Sequence, residues 1–218
     1  MTARYICIEG TEGVGKTTQT QKLVDHLHGK GFKVLQTKEP GTAHSPLTME
    51  LRNIMLNAKY DSELTKPARE LISQAIRSIH LEKVIRPALE QYDFIIQDRG
   101  ALSGLSYGHA CGNELDWLEQ LSDHVSGEAL TKFYDELYDD VVYLTGDVRK
   151  GLLKAISSKQ EFEAGDAIEM KGISFMETVN KNMREYSEWF NAKPISVDGK
   201  SIDQVFEEML KALDLGSK

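Results

Sequence analysis

Cysteine is nearly missing. Cys7 and Cys111 are the only two thiols in 218 residues, too few for a disulfide framework, and Cys7 sits in an apolar run where a small buried thiol is expected. That usage fits a reducing compartment, so a cytoplasmic setting is expected. Long apolar runs are missing as well. The opening MTARYICIEG is interrupted too soon for a secretory h-region, and no run approaches membrane-spanning length, so no membrane partner is expected. There is no basic excess: 26 Lys and Arg stand against 34 Asp and Glu, a net charge of −8. Non-specific nucleic-acid binding needs a cationic face, so no nucleic-acid partner is expected either. Repeats, low-complexity tracts and Gly/Ser linkers are lacking, and residues 1–218 are read as one domain.

What is present is an alternation. Five short β-type runs stand out: YICIE (5–9), KVLQT (33–37), DFIIQ (93–97), VVYLT (141–145) and PISV (194–197). Helical patterns separate them. Leu23, Val24 and Leu27 form a stripe ended by Gly29 and Gly31. Leu71, Ala75 and Ile79, flanked by Ile72 and Ile76, form another that is expected to stop near Pro87. Phe175, Val179, Met183, Tyr186 and Phe190 step as a buried helix face does. Ser201-Ile202-Asp203-Gln204 reads as a capping box. Short apolar strands alternating with helices predict an α/β fold with a five-stranded parallel sheet flanked by helices. Ligands in such folds bind beyond the C-terminal strand ends.

The first strand runs into Gly10-Thr11-Glu12-Gly13-Val14-Gly15-Lys16-Thr17-Thr18, which satisfies G-x-x-x-x-G-K-[ST]. Backbone N–H groups must turn inward around phosphate oxygens, and glycine permits both the dihedrals and the approach. The helix opening near Lys16 aims its unpaired N–H groups and positive dipole end at the same anion. Lys16 reaches the β- and γ-phosphates of ATP and Thr17 can ligate Mg²⁺. The later Gly199-Lys200-Ser201 has Pro194 where the first glycine belongs, and reads as a turn and helix cap. No Asn-Lys-x-Asp follows a strand, which argues against a guanine-specific switch GTPase. His109-Ala110-Cys111 carries ligand atoms without a second pair and reads as a loop.

Further motifs follow in order: Glu39-Pro40-Gly41-Thr42 after the second strand, Glu50-Leu51-Arg52, the Arg77 helix ending Ile85-Arg86-Pro87-Ala88-Leu89, Asp98-Arg99, then Ser103-Gly104, Tyr107 and Leu115-Asp116-Trp117. This series resembles the thymidylate kinase family of nucleoside monophosphate kinases, from Ile6 to about Leu213. The resemblance implies a P-loop fold with a mobile lid over about 150–172, a homodimer, and transfer of the γ-phosphoryl of ATP·Mg²⁺ to a deoxynucleoside monophosphate. It implies that Asp98 holds Mg²⁺ and that Arg99 spans donor and acceptor phosphates. Arg52 would grip the acceptor monophosphate, and Arg77 would contact base or phosphate. Glu12 would lie near the sugar 3′-hydroxyl, with Pro40, Ser73, Ser103 and Tyr107 on the acceptor side. The lid supplies an arginine in the family subclass with an acidic P-loop residue. Within the lid none follows Arg149 here, so Lys154 or Lys159 is expected to substitute.

The expected base pocket departs from the family. Ser73 stands where members usually carry a stacking phenylalanine, Gly108 where a glutamine is common, Gly100 where an aromatic or histidine follows Asp-Arg, and Lys38 where an arginine precedes Glu-Pro-Gly. Together these predict a roomier, more polar pocket. The acceptor is then dTMP or a related nucleotide such as dUMP, a 5-modified deoxyuridylate or a purine deoxynucleotide. A deoxynucleoside kinase and a nucleotide-binding regulatory module are the rival readings.

Overall fold

The computed structural model describes residues 2–130, 132–158 and 171–216. The strands are β1 (Arg4–Gly10), β2 (Val34–Lys38), β3 (Phe94–Asp98), β4 (Asp140–Thr145) and β5 (Lys193–Ser196). They form one parallel sheet in the order β2-β3-β1-β4-β5. Each of the five expected runs is a strand, its ends moved by at most one residue. The helices are α1 (Lys16–Gly29), α2 (Pro46–Leu56), α3 (Lys66–His80), α4 (Arg86–Gln91), α5 (Ala101–Ala110), α6 (Leu115–Leu130), α7 (Val148–Ser158), α8 (Gly172–Tyr186) and α9 (Ile202–Ala212). Short helical turns at Ala58–Tyr60, Leu81–Ile85 and Tyr134–Glu136 complete the pattern.

Strand alternation divides the core. Tyr5 and Cys7 of β1 pack with Leu35, Ile95 and Val141 beneath α4, α5 and α6. Ile6 and Ile8 turn the other way and pack with Ile96, Val142 and Leu144 against α1 and α9. Both faces are covered, which is why the strands read as unbroken apolar runs. The Ser201 capping box is formed at α9, with Ser201 Oγ accepting from Gln204 N and Gln204 Oε1 accepting from Ser201 N. The glycine ahead of it, Gly199, turns with φ 72°.

Three expectations need correction. The α3 stripe is only partly inward: Ile76 is buried, but Leu71 is 51% exposed and Ala75 is exposed, whereas Glu70, Gln74, Arg77 and His80 are buried. These polar residues bond one another and their neighbours instead of water, so the polar side of α3 is turned inward. Nor does the helical path stop at Pro87. A π turn over Leu81–Ile85 carries it into α4, where Pro87 occupies the first turn and needs no N–H partner. His109-Ala110-Cys111 is the last turn and cap of α5, not a loop, with His109 Nδ1 bonded to Tyr186 Oη. Among the described residues no group of three His, Cys, Asp or Glu could hold a metal, and no helix is long and apolar enough to cross a membrane.

The ends of β1, β2 and β3 lie side by side, with Ile8 opposite Asp98 and Lys38 opposite Asp98 across the register. Their three following loops therefore converge on one crevice. Most of the lid expected over 150–172 lies outside the described residues, and Lys159 with it.

Candidate active site

The loop after β1 wraps as its composition predicts. Gly13 and Gly15 have φ of 72° and 96°, a region costly for other residues. A Cβ on Gly13 would lie 1.9 Å from the Gly151 carbonyl oxygen at the start of α7. Lys16 opens α1 and is only 7% exposed, its Nζ donating to Thr11 O at 2.6 Å. Burial, then the nearby Arg99 charge, pulls the Lys16 ammonium down to about 8 against the opposing pull of Glu12, Asp98 and Glu9. Val14 packs into the core and so contributes main chain only, while Thr17 and Thr18 are exposed.

A pH dependence follows. Below pH 8 Lys16 is already an ammonium; above it, a polyphosphate must draw a proton onto the amine in order to bind. Affinity for ATP is expected to fall toward tenfold per pH unit above 8. Titration at pH 7, 8 and 9 in buffers of different ionisation enthalpy measures this, and a flat profile with no proton uptake contradicts it.

Thr17 Oγ1 donates to Asp98 Oδ2 at 2.7 Å. A hydroxyl and a carboxylate in contact beside the Gly-rich loop are hard oxygen donors that fit Mg²⁺. Arg99 follows in a left-handed conformation, φ 66°. Its guanidinium donates to Gly10 O at 2.9 Å and Ser103 Oγ at 3.2 Å, pairs with Glu12 Oε1 at 2.7 Å, and lies 5.5 Å from the Tyr107 ring centre. Tyr107 donates its hydroxyl to Glu12 Oε2. For Glu12, burial favours the neutral acid, but Arg99 and Lys16 outweigh it and hold the carboxyl below its ordinary range.

Beside this cluster opens a cavity of about 270 Å³. Pro40, Arg52, Ser73, Arg77, Ser103 and Tyr107 all line it, as do Glu12, Asp98 and Arg99. Arg52 on α2 donates Nη1 to Pro40 O at 2.6 Å. Arg77 on α3 is 2% exposed, which removes its reading as a solvated charge. Its Nε donates to Glu39 Oε2 at 3.0 Å and its Nη2 to Gly100 O at 3.2 Å. The other Glu39 oxygen meets His80 Nδ1 at 3.1 Å, and His80 Nε2 meets Thr37 Oγ1 at 2.8 Å.

Burial pushes the Glu39 carboxyl upward, yet Arg77 and His80 overcome it and hold the group at about 2. Set against an ordinary 4.5, this contributes about 3 kcal/mol of stability, present above pH 4.5 and lost as the pH falls toward 2. Glu39→Gln is expected to narrow its stability deficit against the parent protein over that window. A constant deficit from pH 5 to 2 in denaturant melts contradicts it.

Two residues that tie the site together were given no role from the sequence. Glu9, fully buried at the end of β1, accepts from Gly100 N at 2.8 Å and Ser103 N at 3.1 Å and bonds the Ser103 hydroxyl. It ties the Asp98-Arg99 turn to the strand that carries the P-loop. Glu39 is the second. Both were available as carboxylates at the ends of apolar strands, positions that need buried partners. The roomier pocket also requires correction at two of its positions, Gly100 and Gly108. A Cβ on Gly100 would meet Tyr138 Oη at 2.1 Å, and one on Gly108 would meet Glu70 Oε2 at 2.7 Å and Leu118 at 3.0 Å. The space vacated at both positions is already filled; the polar character is retained. Lys154 is exposed on α7 and does not line the cavity.

A Gly-rich loop between strand and helix, an Asp-Arg pair on the neighbouring strand and a second, cationic cavity beside them define a P-loop α/β phosphotransferase fold. A thymidylate kinase family model matches residues 8–209. The chain is 34% identical over 195 residues to the thymidylate kinase of Synechococcus sp. (strain CC9605), covering 86% of each chain. It is 32% identical over 215 residues to that of Geobacillus sp. (strain WCH70), covering 98% of this chain and 97% of the relative. The crystal structure of thymidylate kinase from Ehrlichia chaffeensis shares the fold with a TM-score of 0.72 at 23% identity, over 98% of this chain and all of that one. The chain belongs to the thymidylate kinase family.

Proposed function

We propose that this chain is an ATP-dependent thymidylate kinase, converting dTMP or a related deoxynucleoside monophosphate to the diphosphate. The observation that carries this reading is that Arg99, paired with the P-loop acid Glu12, lines the same cavity as Arg52 and Arg77. One anion site adjoins another, with a guanidinium at their border. The P-loop amides and Lys16 hold the β- and γ-phosphates of ATP, and Arg52 grips the acceptor phosphate. Arg99 leaves Glu12 in part to spread the charge that develops on the moving phosphoryl. Thr17 and Asp98 would hold Mg²⁺, which would supply neutralisation of the phosphate charge. The acceptor oxygen is already anionic, so no side chain has to remove a proton, and no covalent enzyme intermediate is needed. Lys154 or Lys159 is the proposed cation from the lid. We take residues 1–218 as one kinase domain working in the cytoplasm as a homodimer, a state that sedimentation measures.

Coupled ADP release with dTMP as acceptor tests the reading; ATP hydrolysis indifferent to every deoxynucleoside monophosphate would contradict it. Arg52→Glu is expected to raise the KM for dTMP by roughly ten- to a hundredfold with the KM for ATP unchanged. A kinase acting on a nucleoside 5′-hydroxyl would show no such rise.

A further inference from the structure

Helices α3 and α5 meet along three glycines spaced four apart: Gly104, Gly108 and, just beyond α5, Gly112. A Cβ on each would run into the polar end of an α3 side chain. Arg77 Nη2 would lie at 2.4 Å from the first, Glu70 Oε2 at 2.7 Å from the second and Lys66 Nζ at 2.7 Å from the third. The absent side chains of α5 let the long polar side chains of α3 lie across the wall of the cavity. All six residues line it except Gly112.

Two members of this row, Glu70 and Arg77, have incomplete hydrogen bonding. Glu70 is 5% exposed. Its Oε1 accepts from Gln74 Nε2 at 2.9 Å, and Gln74 is fixed in turn by Ser122 Oγ at 3.1 Å. Among the described residues no donor reaches Oε2 and no cation closes to salt-bridge distance. Burial accordingly pushes the carboxyl above its ordinary range, with the Gln74 hydrogen bond and the Arg77 charge pulling back. Two turns along the same helix, Arg77 Nη1 is buried with no partner. Gln74 Oε1 is likewise buried without a partner, and Glu70 Oε2 enters no hydrogen bond or ion pair among the described residues, about 10 Å along the helix axis from Arg77. A buried carboxylate in this condition is costly, and a ligand N–H or O–H relieves the cost.

We propose that Glu70 is a specificity-determining residue for the acceptor base, its Oε2 taking a hydrogen bond from an N–H or O–H on the nucleobase edge. The inference rests on the kinase reading above and adds to it what reads the base. The donor is either the ring imino N–H or a hydroxyl on a C5 substituent; both present the same group to Glu70. Gly108 is the permissive partner, because any side chain there displaces Oε2.

The test compares kcat/KM for dTMP, 3-methyl-dTMP and 5-hydroxymethyl-dUMP in the full-length enzyme and in Glu70→Leu. If the imino group is read, the parent enzyme disfavours 3-methyl-dTMP by at least about tenfold and Glu70→Leu erases most of that ratio. If the substituent is read, the parent prefers 5-hydroxymethyl-dUMP over dTMP by a similar factor and the variant loses that preference. In either case the KM for ATP stays put, which a merely structural defect would not guarantee. Should Glu70→Leu fail to fold, Gly108→Ala gives the same readout, since alanine suits a helix and moves Oε2 without removing it. Ratios that are unchanged in the variants, or near unity in the parent, overturn the proposal while leaving the kinase reading intact. Absence of turnover with every acceptor overturns both.

Discussion

Arg99→Ala lowers kcat by about a thousandfold or more, the largest effect expected of any single substitution in this protein. The guanidinium has no bland role to fall back on. The side chain is mostly buried in a left-handed turn, held by Gly10 O, Ser103 Oγ and Glu12, and none of these contacts is needed to close the core. Its partner Glu12 keeps Lys16 as a second source of positive charge, so the cluster survives the loss without an isolated buried carboxylate. Melting is therefore expected to change little while turnover collapses. Arg99→Lys restores only part of the rate, because an ammonium lacks the fork that can touch two phosphates at once. A loss of less than tenfold in single-turnover experiments contradicts the assignment.

Lys16→Ala comes second, with activity down by roughly a hundred- to a thousandfold and ATP affinity reduced in parallel. Its effect on stability runs the other way. An ammonium pulled down to about 8 mainly by burial is a cost to the ligand-free fold, and the bond to Thr11 O only partly offsets it. The ligand-free variant is expected to be no less stable than its parent at pH 7, yet to gain no melting temperature when ATP is added. Stability and function are opposed at this one position. A variant that binds ATP normally would remove the P-loop from the account.

How much of this could be read in advance depended on how local the cause was. The P-loop was legible because its glycines, lysine and threonine are contiguous, and each is required by backbone geometry or phosphate chemistry within a few residues. The strands were legible for a similar reason, since both faces are buried and the apolar runs are continuous. Helix α3 was not. Leu71 and Ala75 are exposed while Ile76 is buried, and the inward face is shared with Glu70, Gln74, Arg77 and His80, which bond to partners distant in the chain. Arg77 finds Glu39 and Gln74 finds Ser122 only after the chain folds. Periodicity assigns burial by polarity, and a polar cavity wall inverts that rule.

The glycines of the base pocket carried a related ambiguity. Gly100 and Gly108 signalled missing bulk, but whether the space is vacant or filled depends on Tyr138 and Glu70 arriving from elsewhere. Both arrive. Glu9 was hidden in the same way inside YICIE, where a carboxylate among apolar residues looks like strand filler until Gly100 and Ser103 close around it.

The central claim is that two anion sites lie in line, one at the P-loop and one under Arg52, with Arg99 between them. Adenosine and thymidine joined 5′ to 5′ through a chain of five phosphates would span both, so its inhibition pattern tests the claim most directly. Competition against ATP and against dTMP alike, with affinity above either nucleotide and lost in both Lys16→Ala and Arg52→Glu, is the result predicted. Competition against ATP alone, untouched by Arg52→Glu, would contradict it.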